Sequence, residues 1–152
     1  MARTARYSTN SAVTDTLYIG YGNSLRGDDG VGLFVAQRLQ GLAVHQLTPD
    51  LAEPISQAAK VIFIDADVTL APGEVCRAPV VETQASLGHH CTPGELLAIA
   101  RTLYGAAPPA GLISIGIESA DLAEGLSAPV LAAAEVLVAT LRPCPWMAKS
   151  SW

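Results

Sequence analysis

The sequence predicts an α/β fold: a single domain in which a twisted, mostly parallel sheet of about five strands is sandwiched between helices. Three observations predict it. Short apolar and β-branched runs alternate with segments of helical periodicity along most of the chain, the signature of strand–helix–strand units. One run, Val61-Ile62-Phe63-Ile64, is continuously apolar, as a strand covered on both faces has to be. The chain has 152 residues, 50% of them hydrophobic, with one composition regime and no internal repeat, which bounds it to one core.

Residues 17–21, Leu-Tyr-Ile-Gly-Tyr, form the first strand. A glycine-rich loop follows, then a helix over residues 29–40 that places Val31, Val35 and Leu39 on one face and stops at Gly41. Residues 43–47 form the second strand. Thr48 caps a short helix with Pro49 at its first position, and Pro54 kinks or ends it. The third strand, residues 61–64, runs into Asp65-Ala66-Asp67. Pro72-Gly73 is a turn and residues 74–80 an edge strand, where Pro79 is tolerated. Thr92-Pro93-Gly94-Glu95 has the form of a capping box. Leu96, Leu97, Ala100, Leu103 and Tyr104 continue that helical face to Gly105. Residues 112–117 are the last strand, and Ser127 caps a final helix that runs through Leu141 and ends at Pro143. The polar residues 1–14 are expected to be disordered, residues 15–143 to form the domain, and residues 144–152 a tail.

Composition excludes several classes. The net charge is −5 and the nine basic residues are scattered, so no nucleic acid is expected as a partner. No run approaches the roughly 18 apolar residues of a spanning helix, and residues 1–14 lack the apolar centre of a signal peptide. No membrane partner is expected. Cys76, Cys91 and Cys144 are odd in number and lack C-x-x-C spacing. That fits a reduced, cytoplasmic setting better than a disulfide framework.

In open α/β sheets, ligands bind beyond the carboxyl ends of the strands. Acids cluster there: Asp28 and Asp29 where the glycine-rich loop meets its helix, Asp65 and Asp67 past the third strand, and Glu118 past the last. Phosphate loops in this position use a helix N-terminus to hold an anion, whereas adjacent carboxylates repel one. The loop suits a cation or a proton transfer. Asp65 and Asp67 share a face if the strand persists. His89 and His90 precede the capped helix, whose positive end favours neutral imidazole, the metal-binding form. Two carboxylates and one histidine would offer a divalent transition ion two hard oxygens and a nitrogen. The same residues also read as helix caps, with Asp28 capping its own helix, Asp67 a turn, and the histidines a surface pair. His45 reads as a structural strand residue. Cys91, at a helix start that would lower its pKa, lacks an orienting partner for a nucleophile.

Gly20-Tyr21-Gly22-Asn23-Ser24-Leu25-Arg26-Gly27-Asp28-Asp29-Gly30-Val31-Gly32 resembles the N-terminal signature of the nickel–iron hydrogenase maturation endopeptidases. Ile64-Asp65-Ala66 with Pro72-Gly73-Glu74, then His89-His90-Cys91-Thr92-Pro93, then Gly116-Ile117-Glu118 with Gly125-Leu126-Ser127, resemble later parts of that family in the same order. The resemblance implies an aspartyl-type endopeptidase with an α/β fold. Its substrate would be a hydrogenase large-subunit precursor, cut to remove a C-terminal extension after nickel insertion. The nickel would be carried by the substrate, the resting enzyme being metal-free. Catalytic and metal-recognising roles then fall to Asp29, Asp65 and His89, with His90 as the alternative to His89. The run His45-Gln46-Leu47-Thr48-Pro49-Asp50-Leu51 replaces a glycine–threonine turn of many members; it resembles the branch serving bidirectional, cyanobacterial-type hydrogenases.

Two other classes compete. A dinucleotide-binding module would need glycine where Leu25 stands, and a P-loop would need a G-K-[ST] ending. A non-enzymatic nickel-binding maturation chaperone would use the same acids and histidine to hold the free ion.

Overall fold

The computed structural model describes residues 16–85 and 90–142. Five strands, β1 (Thr16–Tyr21), β2 (Leu42–Val44), β3 (Lys60–Asp67), β4 (Val75–Pro79) and β5 (Ala110–Gly116), alternate with α1 (Val31–Arg38), α2 (Ala52–Gln57), α3 (Pro93–Tyr104) and α4 (Ala128–Leu141). They form one sheet in the order β2-β1-β3-β5-β4. All pairings are parallel except that of β4 with β5. The predicted fold class is the observed one.

Alternation along the strands builds two cores. Ile62, Ile64, Ile113 and Ile115 face α1 and α4 and pack with Val31, Val35, Val130 and Leu137. Val61, Phe63 and Ile19 face the other way and pack with Ile55, Leu96 and Leu97 of α2 and α3. Glycines let α1 lie backbone to backbone on the sheet. A Cβ on Gly32 would stand 2.4 Å from the Ile64 carbonyl oxygen, and one on Gly20 would stand 1.9 Å from the Gly32 oxygen.

Several boundaries differ from the sequence reading. The first helix opens as a 3-10 turn, Gly27–Gly30, before α1 begins at Val31. It closes through Gln40, which takes the left-handed conformation at φ 58°. The second strand is shorter than expected, because Leu47 leaves the sheet to join the α2–α3 core. Pro54 does not break α2, since it sits in the first turn, where an N–H has no intrahelical acceptor to lose. The α3 capping box forms as read. Thr92 Oγ1 accepts from the Glu95 N–H at 3.2 Å, and Glu95 Oε2 accepts from the Thr92 N–H at 3.4 Å. The expectations for residues 1–14 and 144–152 lie outside the described residues.

Candidate functional site

Strand order locates the site. From β1 the chain moves outward to β2; from β3 it moves the opposite way, to β5 and β4. The reversal falls between β1 and β3, and a crevice opens beyond their carboxyl ends at such a point. Asp29 follows β1, and Asp65 lies at the carboxyl end of β3.

Register brings the first partner to Asp65. Ile19 pairs with Phe63 and Gly20 with Ile64, so Tyr21 falls beside Asp65 on the α2–α3 face. On its other side Asp65 pairs with Ser114 of β5. The Tyr21 hydroxyl donates a hydrogen bond to the Asp65 carboxylate, and Asp65 Oδ1 accepts from the Ala66 N–H at 2.7 Å. Burial nevertheless pushes the Asp65 carboxyl up to about 6, opposed by those two bonds and reinforced by the negative charges of Asp29 and Asp67. Burial, together with the facing carboxylate, raises the Tyr21 hydroxyl far above its ordinary value. Tyr21 is therefore a donor to Asp65 throughout the physiological range.

Asp29 is held by the loop that precedes it. Its Oδ2 accepts from the Asn23 N–H at 2.9 Å. Gly22 makes the turn, with φ 149°; a Cβ there would stand 2.1 Å from the Asp29 carbonyl oxygen. Half-buried and close enough to Asp65 to raise its pKa, Asp29 completes a pair of carboxylates on the shelf between β1 and β3. Such a pair is suited to a cation, whose charge offsets the mutual repulsion, or to acid–base work by the carboxyl near neutrality.

The remaining predicted residues divide otherwise. Asp28 does not cap its own helix. It is buried at 8% exposure and accepts from the Ser127 N–H at 2.7 Å and the Ser127 hydroxyl at 2.8 Å, tying the glycine-rich loop to the start of α4. Ser127, expected to cap α4 through its own side chain, spends its hydroxyl on Asp28 instead. Strand β3 persists to Asp67, yet Asp67 Oδ1 turns to the Thr69 N–H and hydroxyl at 2.8 and 2.6 Å. Those bonds hold its carboxyl below the ordinary range. Glu118 is exposed beyond β5. His45 is exposed beyond the end of β2, not within a strand.

His90 is exposed just before α3, where the Cys91 N–H donates to the Leu47 carbonyl at 3.1 Å. His89 lies outside the described residues. Among the described residues no group of three histidine, cysteine, aspartate or glutamate side chains is arranged to hold a metal ion. Burial, then Glu95 and Asp50, raise the Cys91 thiol. This corrects the expectation that the helix start lowers it, and it disfavours the thiolate that a cysteine nucleophile requires. A cavity of about 520 Å³ lies between β4 and α4, lined by residues such as Val75, Arg77 and Val136, and neither Asp29 nor Asp65 reaches it.

Tyr21 is the residue that motif reading passed over. The signal was available in the period of two, which carries the face of Ile19 to Tyr21 and the face of Phe63 to Asp65.

This architecture is that of the hydrogenase maturation proteases. Over 83% of this chain and 88% of the other, it superposes on the hydrogenase maturating endopeptidase HybD from E. coli with a TM-score of 0.65 at 21% identity. The [NiFe] hydrogenase maturation protease HycI from Thermococcus kodakarensis KOD1 gives a TM-score of 0.65 at 24% identity, over 86% and 92% of the two chains. HybD from Thermococcus kodakarensis gives 0.58 at 24% identity, over 82% and 95%. No family model matches the chain, and no curated protein matches it.

Proposed function

We propose that this chain is an endopeptidase of nickel–iron hydrogenase maturation. It removes the C-terminal extension of a large-subunit precursor after nickel insertion. Asp29, Asp65 and a histidine, His89 or in its place His90, grip the nickel that the precursor carries. The protease itself holds no resident metal. The ion, or the near-neutral carboxyl of Asp65, then polarises a water or the scissile carbonyl. The reaction is cytoplasmic, and the substrate belongs to a bidirectional, cyanobacterial-type hydrogenase.

One observation carries this reading: two carboxylates, Asp29 from the 3-10 turn after β1 and Asp65 from the end of β3, come together at the switch point of the sheet, with Asp65 raised to about 6. Placing two acids on one part-buried shelf is electrostatically costly, and a divalent cation arriving with the substrate relieves that cost. The shared fold supports the peptidase class. The free cysteines Cys76 and Cys91 agree with a reducing compartment. Among the described residues no helix is long and apolar enough to cross a membrane.

The test is mass spectrometry of a nickel-loaded precursor, and of the same precursor without nickel, after incubation with the protein. The expected result is one discrete C-terminal loss, from the nickel-loaded sample alone. Intact mass in both, for a precursor that its own protease cleaves, refutes the activity; tight binding of free nickel would then favour a chaperone.

A further inference from the structure

The strap beside the carboxylates exposes leucine in a place that packing does not explain. Leu25 is 71% exposed and Leu122 77% exposed. Arg26 and Ala123 form a parallel bridge, so Leu25 and Leu122 are the next pair in register. The Ala123 N–H donates to the Leu25 carbonyl at 3.2 Å and the Gly27 N–H to the Ala123 carbonyl at 3.0 Å. The Arg26 guanidinium donates to the Ala120 carbonyl at 3.2 Å, and Asp28 anchors the strap to Ser127. Single exposed leucines are ordinary; a pair held side by side on a bonded framework and rimmed by polar groups marks an interaction surface.

The pair is also fixed relative to the site. Asn23 Oδ1 accepts from the Leu25 N–H at 2.9 Å, while the Asn23 N–H donates to Asp29 at 2.9 Å. One residue therefore sets both the leucine backbone and the carboxylate. Asp121 and Glu124, which flank Leu122 in sequence, are exposed, against one exposed cation of the strap, Arg26, whose guanidinium is turned to the Ala120 carbonyl. This acidic fringe disfavours an anionic lipid surface. It also disfavours a second copy of a chain whose net charge is −5.

We propose that Leu25 and Leu122, with Asp121 and Glu124, dock the stretch of precursor polypeptide next to the bound nickel, and that this stretch carries apolar side chains flanked by lysine or arginine. The inference rests on the function proposed above. Because the surface is already ordered, docking costs little further entropy on the enzyme side.

The test compares the full-length protein with the double variants Leu25→Ser/Leu122→Ser and Asp121→Lys/Glu124→Lys. Both Kd for a fluorescently labelled, nickel-loaded precursor and cleavage kinetics are measured. The serine pair is expected to raise Kd and KM at least about tenfold, which corresponds to ~1.4 kcal/mol, with kcat and melting temperature unchanged. The lysine pair is expected to raise Kd severalfold and to flatten its salt dependence. Values within twofold of the parent for the serine pair overturn the docking surface. Should the parent bind the precursor without cleaving it, and the serine pair lose that binding, docking stands and the peptidase assignment falls. A parent that neither binds nor cleaves overturns both.

Discussion

Replacing Asp65 by asparagine should stabilise the protein at neutral and alkaline pH while abolishing cleavage. In the native state this carboxyl titrates at about 6 because of burial and of Asp29 and Asp67; in the unfolded chain it returns to an ordinary value near 4. Between those values the native state binds more protons than the unfolded one, so this residue's contribution to stability is present below pH 4 and is lost as pH rises through 6. At ~1.36 kcal/mol per unit, the loss approaches about 3 kcal/mol. Asparagine carries no charge to desolvate, but its amide cannot accept from both Tyr21 and Ala66 as a carboxylate does, which returns about 1–2 kcal/mol of the gain. The net expectation at pH 8 is a variant more stable by about 1–2 kcal/mol, or about 2–8 °C for a domain of this size. Urea unfolding of parent and variant from pH 4 to pH 8 isolates this site, since the other groups cancel in the difference. The variant's advantage should grow by about 2–3 kcal/mol across that range, with its midpoint at about pH 5, midway between the unfolded and folded values. A flat difference, or a variant less stable at pH 8, would refute the assignment of burial as the cause.

Two further outcomes follow from the same geometry. Tyr21→Phe removes a donor to a charged acceptor; it should cost about 1–2 kcal/mol at pH 8 and much less in the Asp65→Asn background. Additivity within ~0.3 kcal/mol in that double-mutant cycle would mean that the two side chains do not interact. Asp28→Ala deletes both bonds to Ser127 at a buried position and should cost about 2–4 kcal/mol, read as a lowered melting temperature. Precursor cleavage below that temperature should fall as well, because the turn that carries Asp29 loses its anchor to α4, and a folded variant that cleaves within twofold of the parent would mean that Asp28 does not position Asp29.

Much of the fold is written locally. The period of two in Val61-Ile62-Phe63-Ile64 divides these residues between the two cores, and the capping box at Thr92 starts α3 where the sequence places it. Other features are not local. Aspartate disfavours strands, so the continuation of β3 to Asp67 is invisible to propensity; it is carried by pairing with Ser114 and Gly116 of β5. The shortening of β2 depends on Leu47 finding α2 and α3, elements read only later in the chain. The bond between Asp28 and Ser127 spans 99 residues. In the sequence, Asp28 and Ser127 each read as the cap of its own helix, and only the packing of α1 against α4 brings them together.

The neighbouring acids Asp28 and Asp29 show how one motif serves stability and chemistry at once. A regular helix start would leave both carboxylates in its first turn, serving the dipole. The 3-10 turn Gly27–Gly30 sends them apart instead. Asp28 enters the protein and satisfies the exposed donors at the head of α4, which has no side-chain cap from Ser127. Asp29 returns to the Asn23 N–H and faces Asp65. The two roles are mechanically linked. With Asp28 bound to α4, and residues 25–27 bonded to Ala120 and Ala123, the turn carrying Asp29 is fixed from both sides. Two like charges would otherwise drift apart on an exposed loop. The buried, inert aspartate thus holds its neighbour near Asp65 despite the repulsion, and a cation arriving from the crevice meets a pair already in place.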